Sequence, residues 1–168
     1  MSITPQSPPR RVVTGHDAAG RSVVLSDGPA PRSQARADGA TFHDLWTTAA
    51  MPAPIDLVEL EDPGGRWQTI APGPNGTVLR VVELPPGGRS PMHRTQTIDY
   101  GIVLSGEVYL VLDDSEVALG AGDIVIQRGT DHAWDNRSAA PARMLFILLD
   151  GVFSGDLSAI LRGLAQRS

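Results

Sequence analysis

The sequence predicts an all-β fold in which short strands form a barrel or sandwich. Of its 168 residues, 18 are Gly and 14 are Pro, and this density of turn-forming residues is typical of many short strands rather than of a helix bundle. Short apolar runs separated by turn residues recur at close, even spacing in the second half of the chain. A single domain of this length buries roughly 70% of its unfolded surface, so it folds without a disulfide or metal.

The amino-terminal segment predicts an arm. Residues 1–9 are rich in Pro and Ser, carry no apolar periodicity, and are expected to be mobile. Two apolar runs at 11–14 and 22–25 flank a Gly-containing break and predict a β-hairpin.

The next segment is irregular in composition. Residues 27–40 are small, polar and interrupted by Pro and Gly, which predicts a loop. One further strand is predicted at 42–47, and an irregular stretch follows as far as residue 65. We therefore expect residues 1–75 to form an arm, hairpin and loop that pack on the barrel.

Residues 76–150 are predicted to form the barrel itself, because apolar runs and turn residues alternate throughout. The carboxyl-terminal segment 151–168 is predicted to be a helix that closes a barrel mouth or packs under the sheet, since its apolar residues recur at helical spacing. The helix residues are Leu157, Ile160, Leu161 and Leu164, and the predicted strands cover 77–84, 98–104, 107–112, 116–119, 124–127, 132–136 and 142–149.

Charge and composition exclude several function classes. The net charge of -5 argues against nucleic acid as a partner, because phosphate binding requires a field that attracts anions. All 14 cationic residues are Arg, so lysine Schiff bases and lysine general bases are excluded. The absence of Cys excludes thiol nucleophiles and zinc-thiolate sites. No apolar run is long enough to span a membrane, and we expect a soluble cytoplasmic protein.

One segment carries a Gly, a His, an acidic residue and a second Gly at regular spacing, namely Gly87, His93, Asp99 and Gly106. This spacing is similar to the first of the two sequence motifs of the cupin superfamily. Thr95 stands where that motif has its second His, and Asp99 replaces the usual Glu.

A second segment resembles the other cupin motif. Gly129, His132 and Asn136 match it in spacing, and Gln127 takes the place of the usual Pro. The resemblance extends over about residues 76–150 and implies a single-domain cupin, a double-stranded β-helix or jelly-roll barrel. It does not imply one reaction, because cupins include oxygenases, decarboxylases, isomerases, epimerases, dehydratases and non-catalytic binders.

The resemblance also implies a metal site. In cupins the motif positions bind a first-row divalent metal, which here implies His93, Asp99 and His132 as ligands of Fe, Mn, Ni or Zn. Two His and one carboxylate suit non-haem Fe(II). Asp is one methylene shorter than Glu and Thr95 is a poor ligand, so binding of one divalent metal and binding of none are both left open. No nucleotide cofactor is expected.

The alternation of side chains along a strand also predicts a polar cluster, independently of the resemblance to cupins. If the segment is extended, His93, Thr95, Thr97 and Asp99 share one strand face. A barrel interior holds such a polar row for a ligand, for a metal, or as an internal network in which every polar group is bonded.

The candidate site combines this row with the second motif, where His132 and Trp134 share a face. His93, His132 and Asp99 are the predicted catalytic residues, whereas His16 and His43 are expected to be structural or solvated. The predicted substrate-binding residues are Thr95, Thr97, Tyr100, Trp134, Gln127 and Arg128.

The residue types of this site favour proton transfer. Because the chain has no Lys and no Cys, His93 and His132 are the groups in the motif region that normally titrate near neutral pH. The leading hypothesis is a lyase, cyclase or isomerase that abstracts a proton from a compact oxygenated metabolite, with loss of water or carbon dioxide. The alternatives are an Fe(II)-dependent dioxygenase that uses the same residues with Asp99, and a non-catalytic ligand-binding cupin.

The expected partners are a small-molecule substrate and a second copy of the chain. Single-domain cupins commonly pair through barrel faces and exchanged terminal strands, and the hairpin at 11–25 has no obvious partner in the motif region. The resemblance therefore implies a homodimer.

Overall fold

The computed structural model describes residues 7–56, 62–65 and 70–165 and consists mainly of antiparallel strands, with one short 3-10 helix and a carboxyl-terminal α-helix. In chain order, the elements are β1 (Arg10–His16), β2 (Ser22–Pro29), β3 (Arg32–Ala35), β4 (Thr41–Thr48), the 3-10 helix (Pro63–Gly65), β5 (Thr77–Leu84), β6 (Thr97–Ser105), β7 (Glu107–Val111), β8 (Glu116–Gly120), β9 (Ile124–Arg128), β10 (Ala133–Asp135), β11 (Ala142–Asp150) and α1 (Gly155–Ala165).

The strands form a six-stranded sheet in the order β3-β4-β5-β11-β6-β9, a three-stranded sheet in the order β10-β7-β8, and the separate β1-β2 hairpin. The main core lies between the two larger sheets, because alternate side chains of each strand point to the same interior. Its buried members include Val78, Val103, Met144 and Phe146 from the large sheet and Val108, Leu110, Leu119 and Trp134 from the small one. The predicted all-β jelly-roll barrel, with its hairpin and terminal helix, is confirmed.

The loop predicted over 27–40 is wrong in part. Arg32–Ala35 is a strand that pairs antiparallel with β4, with Arg32 opposite Asp44 and Ala35 opposite Thr41. This strand was not predicted because its residues, Arg-Ser-Gln-Ala, form no apolar run. It is an edge strand that backbone hydrogen bonds to β4 stabilise. The large sheet therefore includes strands from the segment upstream of residue 76.

The arm expected to be mobile is partly docked. Pro9 accepts a backbone hydrogen bond from Ala30 at 2.8 Å, and the Ser7 carbonyl accepts one from the Arg143 guanidinium at 2.5 Å. Residues 1–6, which belong to the same prediction, lie outside the described residues. A second, smaller core under the hairpin joins Ala30 to Leu45 and Val81 on the outer face of the large sheet.

The predicted helix is present. Of its apolar residues, Leu157 is 41% exposed, Ile160 is 61% exposed and Leu161 is half-buried, whereas the side chain of Leu164 lies outside the described part of the chain. Leu157 faces residues of β6 and β9 across a shallow pocket. No helix in the described part of the chain is long and apolar enough to cross a membrane. The homodimer concerns a second chain and stays a prediction.

Two motif glycines are required by close packing. Gly106 has φ of 81°, and a Cβ there would lie 2.8 Å from the Ala142 Cα. Gly129 has φ of 61°, and its Cβ would lie 2.7 Å from the Phe153 ring. Any side chain at either position would combine a left-handed backbone with a steric clash.

Asn136 joins the second motif to the turn after β5. Its side chain is fully buried, and its amide nitrogen donates to the carbonyls of Leu84 at 3.1 Å, Pro85 at 3.1 Å and Ala140 at 2.8 Å. Its amide oxygen accepts from the Ser138 backbone and hydroxyl. This residue therefore joins the end of β5 to the turn that follows β10.

Replacing Asn136 with Ala is expected to lower the free energy of unfolding by about 3 kcal/mol, because the buried Leu84 carbonyl and the partly buried carbonyls of Pro85 and Ala140 lose their donor. Denaturant unfolding followed by circular dichroism measures this change. Ser138→Ala, which removes one hydroxyl at the edge of the same network, should cost about 1 kcal/mol. If the two substitutions lowered the free energy of unfolding equally, the Asn136 amide would not be the main stabilising group of this hydrogen-bond network.

Candidate functional site

A cavity of about 170 Å³ lies between the two larger sheets and contains most of the predicted site. Its walls are mainly apolar, with a cluster of imidazole and carboxyl groups in one part and two guanidinium groups in another. The lining residues are Arg36, Asp38, Ala40, Phe42, Ile70, Arg80, Val82, Leu84, Ser90, Pro91, His93, Thr95, Asp99, His132, Trp134, Phe146 and Leu148.

The two motif histidines form a backbone-paired bridge. The His93 N–H donates to the His132 carbonyl at 2.9 Å, and the His132 N–H donates to the His93 carbonyl, also at 2.9 Å. Their rings lie 4.3 Å apart between centroids, with 47° between the ring planes. An ion pair between Arg94 and Asp131, the next residues outward, flanks the bridge. Both imidazoles are therefore held by backbone geometry and not by side-chain contacts alone.

The tautomer of His93 follows from its hydrogen bond. Nδ1 lies 2.9 Å from the Pro91 carbonyl oxygen, which can only accept. Nδ1 of the neutral ring must therefore carry the proton, and Nε2 retains its lone pair. His93 is half-buried and lines the cavity, so this lone pair is available to take a proton from a bound molecule.

His132 has the opposite tautomer. The Gln127 amide nitrogen lies 2.5 Å from His132 Nδ1 and 3.1 Å from the Thr130 carbonyl. Nδ1 also lies 3.0 Å from the Thr130 carbonyl oxygen, but this oxygen already accepts from the Gln127 amide, and the Gln127 nitrogen next to Nδ1 can only donate. With the Gln127 amide in this orientation, both amide hydrogens have an acceptor when Nδ1 is bare, and Nε2 of the neutral ring then carries the proton. We therefore assign the Nε2–H form to His132, and this ring offers a hydrogen-bond donor to the cavity.

Burial keeps His132 neutral. The residue is 3% exposed, and desolvation lowers its pKa to about 4, with the nearby His93 acting in the same direction. At neutral pH, His132 therefore acts as an uncharged donor that requires no prior protonation.

Asp99 is a buried carboxyl group without full compensation. It is 5% exposed, and its Oδ1 has no hydrogen-bond partner. Burial raises the pKa of Asp99, against the opposing effects of the Thr97 hydroxyl and His93. An unpartnered polar atom on a cavity wall is a position where a ligand gains a hydrogen bond, since leaving such an atom unpaired is costly.

Aromatic rings form an apolar wall next to the imidazoles. Trp134 meets His132 edge-on with 5.9 Å between ring centroids, and it meets Phe146 in the same way at 5.3 Å. The Trp134 side chain is 6% exposed and lines the cavity, as the sequence predicted.

The ligand-type side chains do not fit a metal ion in this arrangement. Within residues 7–56, 62–65 and 70–165, no three His, Asp or Glu side chains come close enough together to share one. His93, Asp99 and His132 thus line one cavity without forming a three-ligand set among the described residues.

The predicted substrate-binding residues divide into two groups. Thr95 lines the cavity and accepts a hydrogen bond from the Thr97 hydroxyl at 2.8 Å. Thr97 does not line the cavity and contacts it only through Thr95. Tyr100 and Arg128 are exposed and do not line the cavity, which corrects their assignment. Each follows an inward residue on its strand, and side-chain alternation turns it outward. Gln127 does not line the cavity either, but bonds to His132 from behind.

The sequence missed the residues from outside the motifs. Arg36, Asp38 and Phe42 come from the β3-β4 region and line the cavity with Arg80 of β5. They carry no motif, and β3 itself was not predicted, so no signal placed them near the site. His43, by contrast, is buried between Ser33 at 2.7 Å and Glu83 at 3.4 Å, which agrees with its expected structural role.

Comparison with known proteins agrees with this fold and site. The cupin domain family model matches residues 80–148. The chain is 43% identical over 150 residues to Phomopsin biosynthesis cluster protein C' of Diaporthe leptostromiformis, with 84% of this chain and 78% of that protein covered. The chain therefore belongs to the cupin domain family.

Two further relatives carry a functional name. Cupin-domain-containing oxidoreductase fogC of Aspergillus ruber is 34% identical over 151 residues, covering 83% of this chain and 71% of that protein. Cupin-domain-containing oxidoreductase srdB of Neurospora crassa is 37% identical over 147 residues, covering 84% and 74%.

The lowered pKa of His132 predicts a pH-dependent stability. Between its unfolded value of 6.5 and its folded value of about 4, the unfolded chain binds the extra proton, so stability falls as pH falls. The loss between pH 7 and pH 4 should be about 3 kcal/mol from this residue. His132→Gln should remove that part of the pH dependence in urea unfolding at the two pH values.

Asp99 affects the pH dependence of stability in the opposite direction, because its raised pKa stabilises the folded state as pH falls. Asp99 is present in both wild type and His132→Gln, so its contribution cancels in the comparison. His16→Gln in the hairpin is the matched control and should keep the wild-type dependence. The same pH dependence in His132→Gln as in wild type would contradict the buried neutral imidazole.

Proposed function

We propose that this cupin is an enzyme that moves a proton within a compact, mainly apolar carbonyl metabolite, as an isomerase or cyclase of secondary-metabolite biosynthesis. One observation carries the proposal: the cavity pairs an imidazole that presents a lone pair, His93, with an imidazole that presents an N–H, His132. A base and a hydrogen-bond donor on one substrate are what enolisation requires.

In the proposed step, His93 Nε2 takes a proton from the carbon next to the substrate carbonyl, and the C–H electron pair becomes the C=C bond of the enol or enolate. The carbonyl π electrons move to oxygen, where the His132 N–H stabilises the developing charge. In a conjugated substrate, His93 then returns the proton to the far carbon of the dienolate, so that the C=C bond shifts and the carbonyl forms again. Alternatively, the enolate carbon attacks a second carbonyl of the substrate and closes a ring, and the proton held by His93 passes to the new alkoxide oxygen. No electron leaves the substrate, so no external oxidant is needed.

A neutral imidazole is suited to the donor role. Because burial lowers the pKa of His132 to about 4, the ring donates a hydrogen bond without becoming a charged acid. Neutral histidine acts in this way in triosephosphate isomerase, where it polarises a carbonyl beside a separate base. Asp99 interacts electrostatically with His93 and would stabilise the imidazolium that forms during the step.

The relatives support the biosynthetic context but not the loss of a fragment. These relatives are named as phomopsin and oryzines biosynthesis cluster proteins and as cupin-domain-containing oxidoreductases, and none of them is named a lyase. The proposed reaction therefore includes no loss of water or carbon dioxide, unlike the expectation from the sequence. Moving a C–H proton and a C=C bond along a carbon chain oxidises one carbon and reduces another, so it is an internal oxidation–reduction.

The oxidoreductase names favour a second candidate, an oxygen-consuming enzyme that uses Fe(II). The arrangement of His93, Asp99 and His132 does not support it, because these side chains do not form a three-ligand set among the described residues. The two candidates differ in a measurable way, since enolisation exchanges C–H protons with solvent and consumes no oxygen.

The test is deuterium incorporation in D₂O, measured by NMR on acetophenone, phenylacetone and phenylpyruvate, with oxygen uptake recorded in parallel. Wild type should accelerate C–H exchange of at least one probe over buffer. His93→Asn and His132→Asn should each reduce that acceleration by roughly 10²–10⁴-fold, the usual contribution of a positioned acid or base.

His16→Asn is the control for loss of an imidazole elsewhere and should exchange like wild type, with circular dichroism verifying that every variant is folded. Wild-type exchange that survives both cavity substitutions would show that the site is misassigned. Oxygen uptake on adding Fe(II), without C–H exchange, would overturn the proposal in favour of the second candidate.

A further inference from the structure

We infer that the cavity contains a carboxylate-binding subsite formed by Arg36 above the Phe42 ring, so that the substrate is an apolar carboxylic acid. This inference rests on the proposed function for the site where the reaction occurs, but its own observations concern a different part of the cavity. They come from the β3-β4 turn and β5, which carry no cupin motif.

Arg36 is held in place at the edge of the cavity. Its N–H donates to the Ala40 carbonyl at 2.8 Å and its carbonyl accepts from Gly39 at 3.1 Å, so a tight turn fixes its backbone. The side chain is half-buried, lines the cavity, and has its guanidinium carbon 5.3 Å from the Phe42 ring centroid. The aromatic face orients the planar guanidinium while its edge remains free for hydrogen bonds.

Arg36 forms no ion pair with an Asp or Glu of the described residues. Asp38 lies two residues away and lines the same cavity. Its Oδ1 accepts the Ala40 N–H at 3.1 Å within the turn and does not bond to Arg36. This part of the cavity therefore offers a guanidinium that a ligand anion can pair with.

A second guanidinium lies next to the same ring without competing for the ligand. Arg80 lies 4.8 Å from the Phe42 ring and is 3% exposed. Its charge is balanced by Asp44, to which it donates at 2.9 and 3.0 Å. Among the described residues that line this part of the cavity, Arg36 is therefore the guanidinium to which no carboxylate is bonded. One guanidinium matches the single charge and two oxygens of a carboxylate, whereas a phosphate monoester would keep a second negative charge unpaired.

The position of this subsite sets the shape of the ligand. Phe42 on β4 and Asp99 on β6 are separated in the sheet by β5 and β11, so the two groups lie in different parts of the cavity wall. Apolar side chains, including Val82 and Phe146, also line the cavity. A ligand that reaches both groups therefore has an apolar body, with its carboxylate at Arg36 and its reacting carbonyl at the imidazoles.

The test compares two probes of the same shape, cinnamate and cinnamamide, by isothermal titration at pH 7, where the acid is ionised. Wild type should bind cinnamate about tenfold more tightly than cinnamamide, the usual effect of one charged hydrogen-bonded pair. Arg36→Gln should abolish this preference by weakening cinnamate and leaving cinnamamide unchanged, and Arg36→Lys should retain part of it.

Arg162→Gln on the exposed face of α1 is the matched control for loss of one positive charge and should keep the full preference. Equal binding of the two probes by wild type, binding of neither, or an unchanged preference in Arg36→Gln would overturn the inference. Because the readout is binding, His93→Asn should retain the preference. Failure of the deuterium exchange experiment alone would therefore disprove the reaction and not the subsite.

Discussion

The reciprocal backbone hydrogen bonds between His93 and His132 are the constraint on which this site depends. They join two segments that are far apart in sequence, one before β6 and one before β10, and so connect the large sheet to the small one at the cavity. Asn136 and the positive-φ Gly129 hold the second segment in the conformation that this pairing requires. The fold therefore fixes the positions of the two imidazoles before a substrate binds. This lowers the entropic cost of bringing the substrate and the imidazoles into a reactive geometry.

The chemistry of the pair follows from the groups behind each ring. The Pro91 carbonyl requires a proton on Nδ1 of His93, whereas the Gln127 amide requires a bare Nδ1 on His132. Two identical side chains consequently offer opposite functions to the cavity, a lone pair and an N–H. Gln127 is therefore a positioning residue, because it acts on the substrate only through His132. Burial strengthens the effect, since a low-dielectric surrounding favours the neutral form of His132 and makes its hydrogen bond stronger.

Most of the barrel and the central part of the site could be predicted from the sequence, and the rest could not for physical reasons. Strands β5 to β11 are short apolar runs between turn residues, and the two motifs identified His93, Asp99 and His132. Strand β3 has the sequence Arg-Ser-Gln-Ala, so it carries no apolar run and gave no signal. The outward direction of Tyr100 could have been predicted, because the alternation that turns Asp99 inward turns the next residue outward. The cavity residues upstream of β5 meet the motifs only through sheet pairing, which no local pattern encodes.

The most direct test of this account is the tautomeric and protonation state of the two histidines, measured by ¹⁵N NMR on histidine-labelled protein between pH 8 and pH 4. The account predicts Nδ1–H for His93, Nε2–H for His132, and a His132 ring that stays neutral until the pH approaches about 4. In Gln127→Glu, a carboxylate would accept from Nδ1, so the His132 proton should move to Nδ1 and its pKa should rise. A wild-type His132 that carries its proton on Nδ1, or titrates near 6.5 like a solvated imidazole, would contradict the assignment of His132 as the neutral donor.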